Sequence, residues 1–179
     1  MNQMNKLAIF CGSKNGNDPI YVQQAAELGS ILASRGKELI YGGGKKGLMG
    51  AAADAAMAGG GIVRGVIPKL LTEWEHQHNG ISDLVIVEDM HIRKKKMYEL
   101  CDAAIFLPGG FGTMDELFEM LTWNQLSIHD KAIFILNSGG FYDHLLAHLK
   151  FLMKEGFLYA KLEEAIIVLD RPGAIEQYL

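Results

Sequence analysis

The 179-residue chain has little of what would mark it for redox chemistry, for membranes or for polyanions. Its two cysteines, Cys11 and Cys101, lie far apart in apolar or strand-like contexts, without the CxxC spacing of a redox or zinc site, so both are expected to be reduced and buried. No run reaches about 18 consecutive apolar residues. The stretch before the first strand-length apolar run, Met1 to Lys6, is short and polar and reads as neither an export signal nor an anchor. A cytoplasmic location with no membrane partner is the expectation. Basic charge is not in excess: the formal net charge is −4 and the pI is near 5.8, which supplies no field to collect nucleic acid. A Ser/Gly linker, a low-complexity tract and an internal repeat are all missing, so residues 1–179 are expected to form a single domain. With 49% of its residues hydrophobic, a chain of this length buries roughly two-thirds of its unfolded surface. Such a chain points to a small-molecule partner.

What is present is alternation. Short β-rich runs at Lys6–Cys11, Glu38–Tyr41, Ile62–Ile67, Leu84–Val87, Ala103–Leu107, Lys131–Leu136 and Ala165–Leu169 are separated by segments with apolar residues at helical spacing. Those segments are Pro19–Arg35, Leu48–Ala58, Met90–Leu100, Thr113–Leu126 and Phe141–Lys154, with a short final helix around Ala174–Leu179. The order implies an α/β protein, a Rossmann-like doubly wound parallel sheet with helices on both faces. Residues 68–83 break the rhythm: the stretch is polar, contains Trp74, His76 and His78, and is long for a connection, as loops that reach over a site often are.

In an open parallel sheet, ligands bind beyond the carboxyl ends of the strands, where glycine lets the backbone approach closely and helix N-termini offer N–H groups to anions. Three glycine loops occupy that position: Cys11-Gly12-Ser13 through Gly16, Gly42-Gly43-Gly44 through Gly50, and Pro108 through Thr113. The second matches GxGxxG at Gly42, Gly44 and Gly47, yet it follows the second strand, and the next strand ends in Val66-Ile67-Pro68 where a ribose-binding acid belongs. A Walker loop is excluded, because Gly44-Lys45-Lys46 lacks the GxxxxGK(S/T) order.

The third loop, PGGFGTMDE over Pro108–Glu116, stands between an apolar strand and a long helix. Gly109, Gly110 and Gly112 free the backbone to curl, and Thr113 offers a hydroxyl at the positive end of a helix, a geometry that suits phosphate. The same residues also read as a capping box, Thr113 to Glu116, in which Glu116 folds back on the N-cap backbone and does no chemistry. Ahead of it runs Met90-His91-Ile92-Arg93-Lys94-Lys95-Lys96-Met97. Arg93, Met97 and Leu100 share one helical side, the side that packs inward, and an inward arginine needs an anion. Lys95 and Lys96 are expected on the surface.

These motifs resemble those of the LONELY GUY family, the cytokinin riboside 5′-monophosphate phosphoribohydrolases once labelled lysine decarboxylases. The family signature PGGxGTxxE stands at Pro108–Glu116 and its Arg-Lys pair at Arg93-Lys94. Similar pieces are Cys11-Gly12-Ser13, Tyr41-Gly42-Gly43-Gly44, Gly65-Val66-Ile67-Pro68 and Thr122-Trp123. The resemblance implies a homodimer, without metal or other cofactor, that cuts the N-glycosidic bond of a purine nucleoside 5′-monophosphate, AMP or an N6-modified AMP. It implies Arg93 and Glu116 as the catalytic pair. Substrate contacts would come from Glu75, Lys94, Gly109, Gly110, Phe111, Gly112, Thr113, Met114, Asp115 and Thr122. Neighbouring Glu73 is an alternative to Glu75, since Thr72-Glu73-Trp74-Glu75 departs from the family wording.

The chemistry fits those residue types. Breaking a C–N bond at ribose C1′ builds positive charge on the sugar and negative charge on the departing base, so a carboxylate and a cation are both wanted. Glu116 would face the ribose, Arg93 would balance the base side or fix the phosphate, and the glycine loop with Thr113 would hold the 5′-phosphate. Metal readings are weaker: His76-Gln77-His78 sits in a loop, and His144 with His148 has Leu145 where HExxH needs glutamate. The aromatics Trp74, Phe111 and Trp123 are expected to pack, with Trp74 also able to cover a ligand, and Phe157 and Tyr159 are expected in the core or an interface. Two rivals remain. A decarboxylase would need pyridoxal phosphate on a Schiff-base lysine, and a nucleotide-binding carrier would use the same glycine loops without turnover.

Overall fold

Each apolar run becomes a strand in a computed structural model that describes residues 4–72, 77–159 and 161–179. The strands are β1 (Lys6–Phe10), β2 (Glu38–Tyr41), β3 (Val63–Pro68), β4 (Asp83–Val87), β5 (Ala103–Phe106), β6 (Ala132–Leu136) and β7 (Ile167–Leu169). Between them lie α1 (Pro19–Ser34), α2 (Gly47–Ala58), α3 (Met90–Leu100), α4 (Phe111–Gln125), α5 (Asp143–Lys154) and the single turn α6 (Leu162–Ala165). Local chemistry sets several starts. Asp18 caps α1 by accepting from Ile20 N–H at 2.9 Å, with Pro19 in the first turn, and Asp89 caps α3 by accepting from Ile92 N–H at 2.8 Å.

The strands form one seven-stranded sheet in the order β4-β3-β2-β1-β5-β6-β7, and all six pairings are parallel. Leu7 of β1 is in register with Leu39 of β2 on one side and with Ala103 of β5 on the other. The chain therefore winds outward in both directions from β1, and the point between β1 and β5 is where a crevice opens. Alternation along β1 divides the core. Leu7 and Ile9 pack with Ala25, Leu28 and Leu32 of α1 and the alanines of α2, whereas Ala8 and Phe10 pack with Met97 and Tyr98 of α3 and with Leu117 and Met120 of α4. On the first face α1 and α2 lie backbone to backbone: a Cβ at Gly29 would sit 2.2 Å from the Ala52 carbonyl oxygen.

Several expectations need correction. Helix α4 begins at Phe111 rather than Thr113. Helix α5 begins at Asp143 because a 3-10 turn over Ser138–Gly140, with Gly139 at φ 57°, intervenes after β6. The last segment, Pro172–Tyr178, is a 3-10 run and not an α-helix, and α6 has no counterpart among the expected helices. Phe157 and Tyr159 are 74% and 89% exposed, so neither belongs to the core. Cys11 and Cys101 are buried and not joined by a disulfide, and burial pushes the Cys101 thiol up to about 11. Among the described residues no helix is long and apolar enough to cross a membrane.

Candidate active site

At the switch point the three glycine loops meet. Gly12 N–H donates to the Pro108 carbonyl at 3.0 Å, and Leu48 N–H donates to the Gly12 carbonyl at 3.1 Å. Gly47 has φ +62° and its missing Cβ would fall 2.3 Å from Ser13 C, so the second loop can close on the first only through glycine. Together they enclose a cavity of about 510 Å³ whose walls include Ser13, Lys14, Gly42, Arg93, the stretch Pro108–Thr113 and Glu116. Leu48, Met49, Leu71, Met90 and Met97 give it an apolar side, and Tyr21 and Phe141 an aromatic rim.

The glycine-rich loop works by space, not by unusual dihedrals. None of Gly109, Gly110 and Gly112 has a positive φ. A Cβ at Gly109 would lie 2.1 Å from Thr113 Oγ1, while Cβ atoms at Gly110 and Gly112 would meet nothing within 4 Å. Gly110 is the N-cap of α4 and supplies no side-chain cap. The capping-box reading of Thr113 and Glu116 is thereby excluded, because Thr113 falls in the first turn and Glu116 in the second, both past the cap. The amide N–H groups of that first turn, at the positive end of a helix of fifteen residues, face the ligand side of the fold, as an anion site requires.

Arg93 and Glu116 reach the cavity from opposite flanks of the switch point. Arg93, 5% exposed, comes from α3, which crosses over β3, β2 and β1. Its Nε donates to the Val66 carbonyl at 3.1 Å and its Nη2 to the Gly42 carbonyl at 2.8 Å. These two bonds fix the plane of the guanidinium between the turn that follows β2 and the Val66 carbonyl within β3. The inward placement expected for Arg93 holds, and two backbone oxygens are among its partners. Glu116, 8% exposed, projects from the buried side of α4, and its carbonyl accepts from the Tyr98 hydroxyl at 2.9 Å. Tyr98 also stacks edge-on against Trp123 at 5.0 Å, which is how Trp123 packs. Thr113 is buried beside Gly109 and lines the same cavity.

Lys94 does not reach the cavity wall. Its ammonium is paired with Asp115 at 2.9 Å and Glu119 at 3.0 Å, joining α3 to α4. Burial lowers its pKa, and the two carboxylates outweigh burial and raise it, so the amine is held protonated. Lys95 is exposed and Lys96 half-buried. Met114 is half-buried against the second core cluster. Phe111, expected to pack, is instead 94% exposed. With Asp115, Phe118 and Thr122 it forms one outward stripe of α4, opposite buried Thr113, Glu116, Leu117 and Met120. The Thr122 hydroxyl donates to the Phe118 carbonyl at 2.7 Å. Glu73, Trp74, Glu75 and His76 lie outside the described residues.

Sequence reasoning missed Tyr98 and the fourth glycine cluster, Gly139-Gly140, both with positive φ, which places Phe141 at the rim. A signal existed: like the other three clusters, it follows directly on an apolar strand.

Residues 49–179 match the protein family described as possible lysine decarboxylase. Among curated proteins, a probable cytokinin riboside 5′-monophosphate phosphoribohydrolase of Oryza sativa subsp. japonica is 48% identical over 162 residues, covering 90% of this chain and 73% of its own. A cytokinin riboside 5′-monophosphate phosphoribohydrolase of Arabidopsis thaliana is 43% identical over 171 residues, covering 96% and 79%. Among solved structures, the molybdenum cofactor binding protein of Rippkaea orientalis superposes with a TM-score of 0.73 at 20% identity, over 99% of this chain and 97% of its own. The Moco carrier protein of Chlamydomonas reinhardtii gives 0.71 at 18% identity, over 98% and 97%. At such identities the structural likeness speaks for the fold alone.

Proposed function

The chain belongs to the LONELY GUY family of cytokinin riboside 5′-monophosphate phosphoribohydrolases, and on that premise we propose that it hydrolyses the N-glycosidic bond of a purine nucleoside 5′-monophosphate, AMP or an N6-substituted AMP. Water supplies its oxygen to ribose C1′ as the bond from C1′ to the base nitrogen breaks. The base leaves with a proton, and ribose 5-phosphate is the other product.

The observation that carries this reading is the convergence of buried Arg93 and buried Glu116 on one cavity beside the open N-terminus of α4. The first-turn amides of α4 and the Thr113 hydroxyl hold the 5′-phosphate, so binding energy from that remote group positions the sugar. Glu116, just beyond them on the same helix, faces the ribose, where its carboxylate stabilises the oxocarbenium-like centre and orients the water. Arg93, anchored across the crevice, balances charge on the departing base. Lys94 is no candidate for the Schiff-base lysine of a decarboxylase: such a lysine must give up its proton, and Lys94 is held as an ammonium by Asp115 and Glu119.

In this reading residues 1–179 act as one cytoplasmic domain that pairs as a homodimer. The outward stripe of α4, with Phe111 and Phe118 exposed and Leu126 and Ile128 exposed just beyond it, supports an apolar interface. Asp115 and Thr122 lie on that stripe, away from the cavity of their own protomer. Contacts from them to substrate would therefore be made across the subunit boundary.

The test is product analysis by chromatography after incubation with AMP and an N6-prenyl AMP, beside a Glu116→Gln variant of unchanged thermal midpoint. Free base from the wild type and none from the variant is expected. No base from any purine monophosphate, with tight binding retained, would overturn the hydrolase and leave a carrier.

A further inference from the structure

Outside the cavity, one buried titratable side chain is bonded at both ends in a way that leads back to Arg93. After the connection that follows β3, the chain returns to the glycine turn beyond β2. Gly44 and Gln77 form an antiparallel bridge, and His78 N–H donates to the Gly43 carbonyl at 2.9 Å. The His78 side chain is 6% exposed. Gly80 N–H donates to its Nδ1 at 3.1 Å. A backbone N–H can only donate, so Nδ1 carries no proton and the ring proton sits on Nε2. That Nε2–H donates to Asp54 Oδ1 of α2 at 2.8 Å. The backbone thus selects the tautomer, and the tautomer selects a carboxylate on the helix that follows the glycine turn.

The turn pinned in this way is the one that holds the arginine. The Gly42 carbonyl accepts from Arg93 Nη2 at 2.8 Å, and the clearance at Gly42 is so small that a Cβ there would lie 2.1 Å from Nη2. Gly43 has φ +77°, and a Cβ added there would lie 3.0 Å from Ile67, so glycine is what lets the turn close against β3. We infer that His78, in its Nε2–H form and fixed by Asp54, is a positioning residue that holds the 42–44 turn and, through the Gly42 carbonyl, the guanidinium of Arg93. It touches no reacting atom. Its kinetic consequence rests on the hydrolase reading; its structural content does not.

Phosphate binding is served by the far side of the cavity, so displacement of Arg93 is expected to act on kcat more than on KM. His78→Gln carries an amide N–H to the Nε2 position, and His78→Leu carries none. With AMP as substrate, His78→Leu and Asp54→Ala are each expected to lower kcat about tenfold with KM little changed, since misplacement of a reacting group by about 1 Å costs up to about a hundredfold. His78→Gln is expected to keep most of the activity, and the double variant to fall no further than either single one. Unchanged kcat in both single variants, losses that multiply in the double, or a His78→Gln as poor as His78→Leu would overturn the inference.

Two readouts need no turnover. Nitrogen-15 NMR of the full chain, with the His78 signal assigned by its loss in His78→Gln, is expected to report the Nε2–H tautomer; a proton on Nδ1 overturns the inference. Hydrogen exchange at the His78 amide is expected to quicken in Asp54→Ala, and unchanged exchange overturns it. A wild type that releases no base would end the hydrolase reading while these two measurements still decide the role of His78.

Discussion

Adding one methyl group to the glycine loop should move stability and binding in opposite directions, and the position decides which. Gly112 is the second residue of α4, its φ is negative, and an added Cβ meets nothing within 4 Å. Alanine there removes backbone freedom from the unfolded chain and suits the helix, which stabilises by about 0.4–1 kcal/mol. For a chain of this size that corresponds to roughly 1–4 °C in the thermal midpoint. The same methyl group projects into the open space beside the first-turn amides, where the 5′-phosphate is proposed to lie. Loss of one hydrogen bond to a charged group costs about 1.5–3 kcal/mol, or roughly ten- to a hundredfold in affinity. Gly112→Ala should therefore melt higher than the wild type and bind AMP more weakly, while its affinity for adenosine, which lacks the phosphate, stays the same. Gly109→Ala is the contrast, because its Cβ would lie 2.1 Å from Thr113 Oγ1 and 3.0 Å from Gly12 N, so it should melt lower. Calorimetric titration with both ligands and a thermal scan suffice. A Gly112→Ala protein that binds AMP as tightly as the wild type would refute the placement of the phosphate at this helix end.

Gly42→Ala would set a Cβ 2.1 Å from Arg93 Nη2, well short of ordinary contact near about 3.5 Å, and should cost on the order of a hundredfold in kcat with AMP affinity retained in calorimetry; unchanged kcat would show that the guanidinium need not be where it is. His129 has both ring nitrogens buried without a hydrogen-bond partner among the described residues, and burial, reinforced by Lys131 and opposed by Asp130, lowers its pKa below the ordinary value. The unfolded chain then binds the proton more readily, so stability should fall as pH drops through about 6.5; thermal scans of His129→Asn should show a flatter acid limb, and an identical limb would refute the assignment. Phe118, 41% exposed on the outward stripe of α4, should by its change to Asp shift a dimer to monomer in light scattering, and an unaltered mass would move the interface elsewhere.

The sheet is legible because its inner strands are covered on both faces, which leaves nearly continuous apolar runs. Strand ends were read to within two residues, and the meeting of three glycine loops followed from topology. The start of α4 was misplaced for a specific reason. Thr113 and Glu116 have the spacing of a capping box, and that signal outweighs a glycine cap, although Gly110 does the capping. Lys94 is a substrate contact only by the resemblance, as the second member of the Arg93-Lys94 pair. Its partners Asp115 and Glu119 are one helical turn apart on α4, and only the packing of α3 on α4 brings them to it. The bond from His78 to Asp54 spans 24 residues and has no sequence signature at all. Local pattern thus carried the backbone, and the polar contacts between helices stayed hidden.

Arg93 and Glu116 separate the hydrolase from a carrier more sharply than the glycine loops do. Helix ends leave their first N–H groups unsatisfied in any case, so a phosphate cradle at α4 adds nothing to the cost of folding. Burying a guanidinium and a carboxylate does add to it, by several kcal/mol per ion even after relaxation. The carbonyls of Val66 and Gly42 offset part of that for Arg93, yet they do so by fixing one orientation, which a carrier of a phosphate ester has no use for. A reaction that develops opposite charges on sugar and base needs both groups, held rigidly and already out of water. If that is why they are buried, Glu116→Gln should bind AMP at least as tightly as the wild type while releasing no base. A parallel loss of affinity and turnover would instead make Glu116 a binding residue and return its burial to the fold.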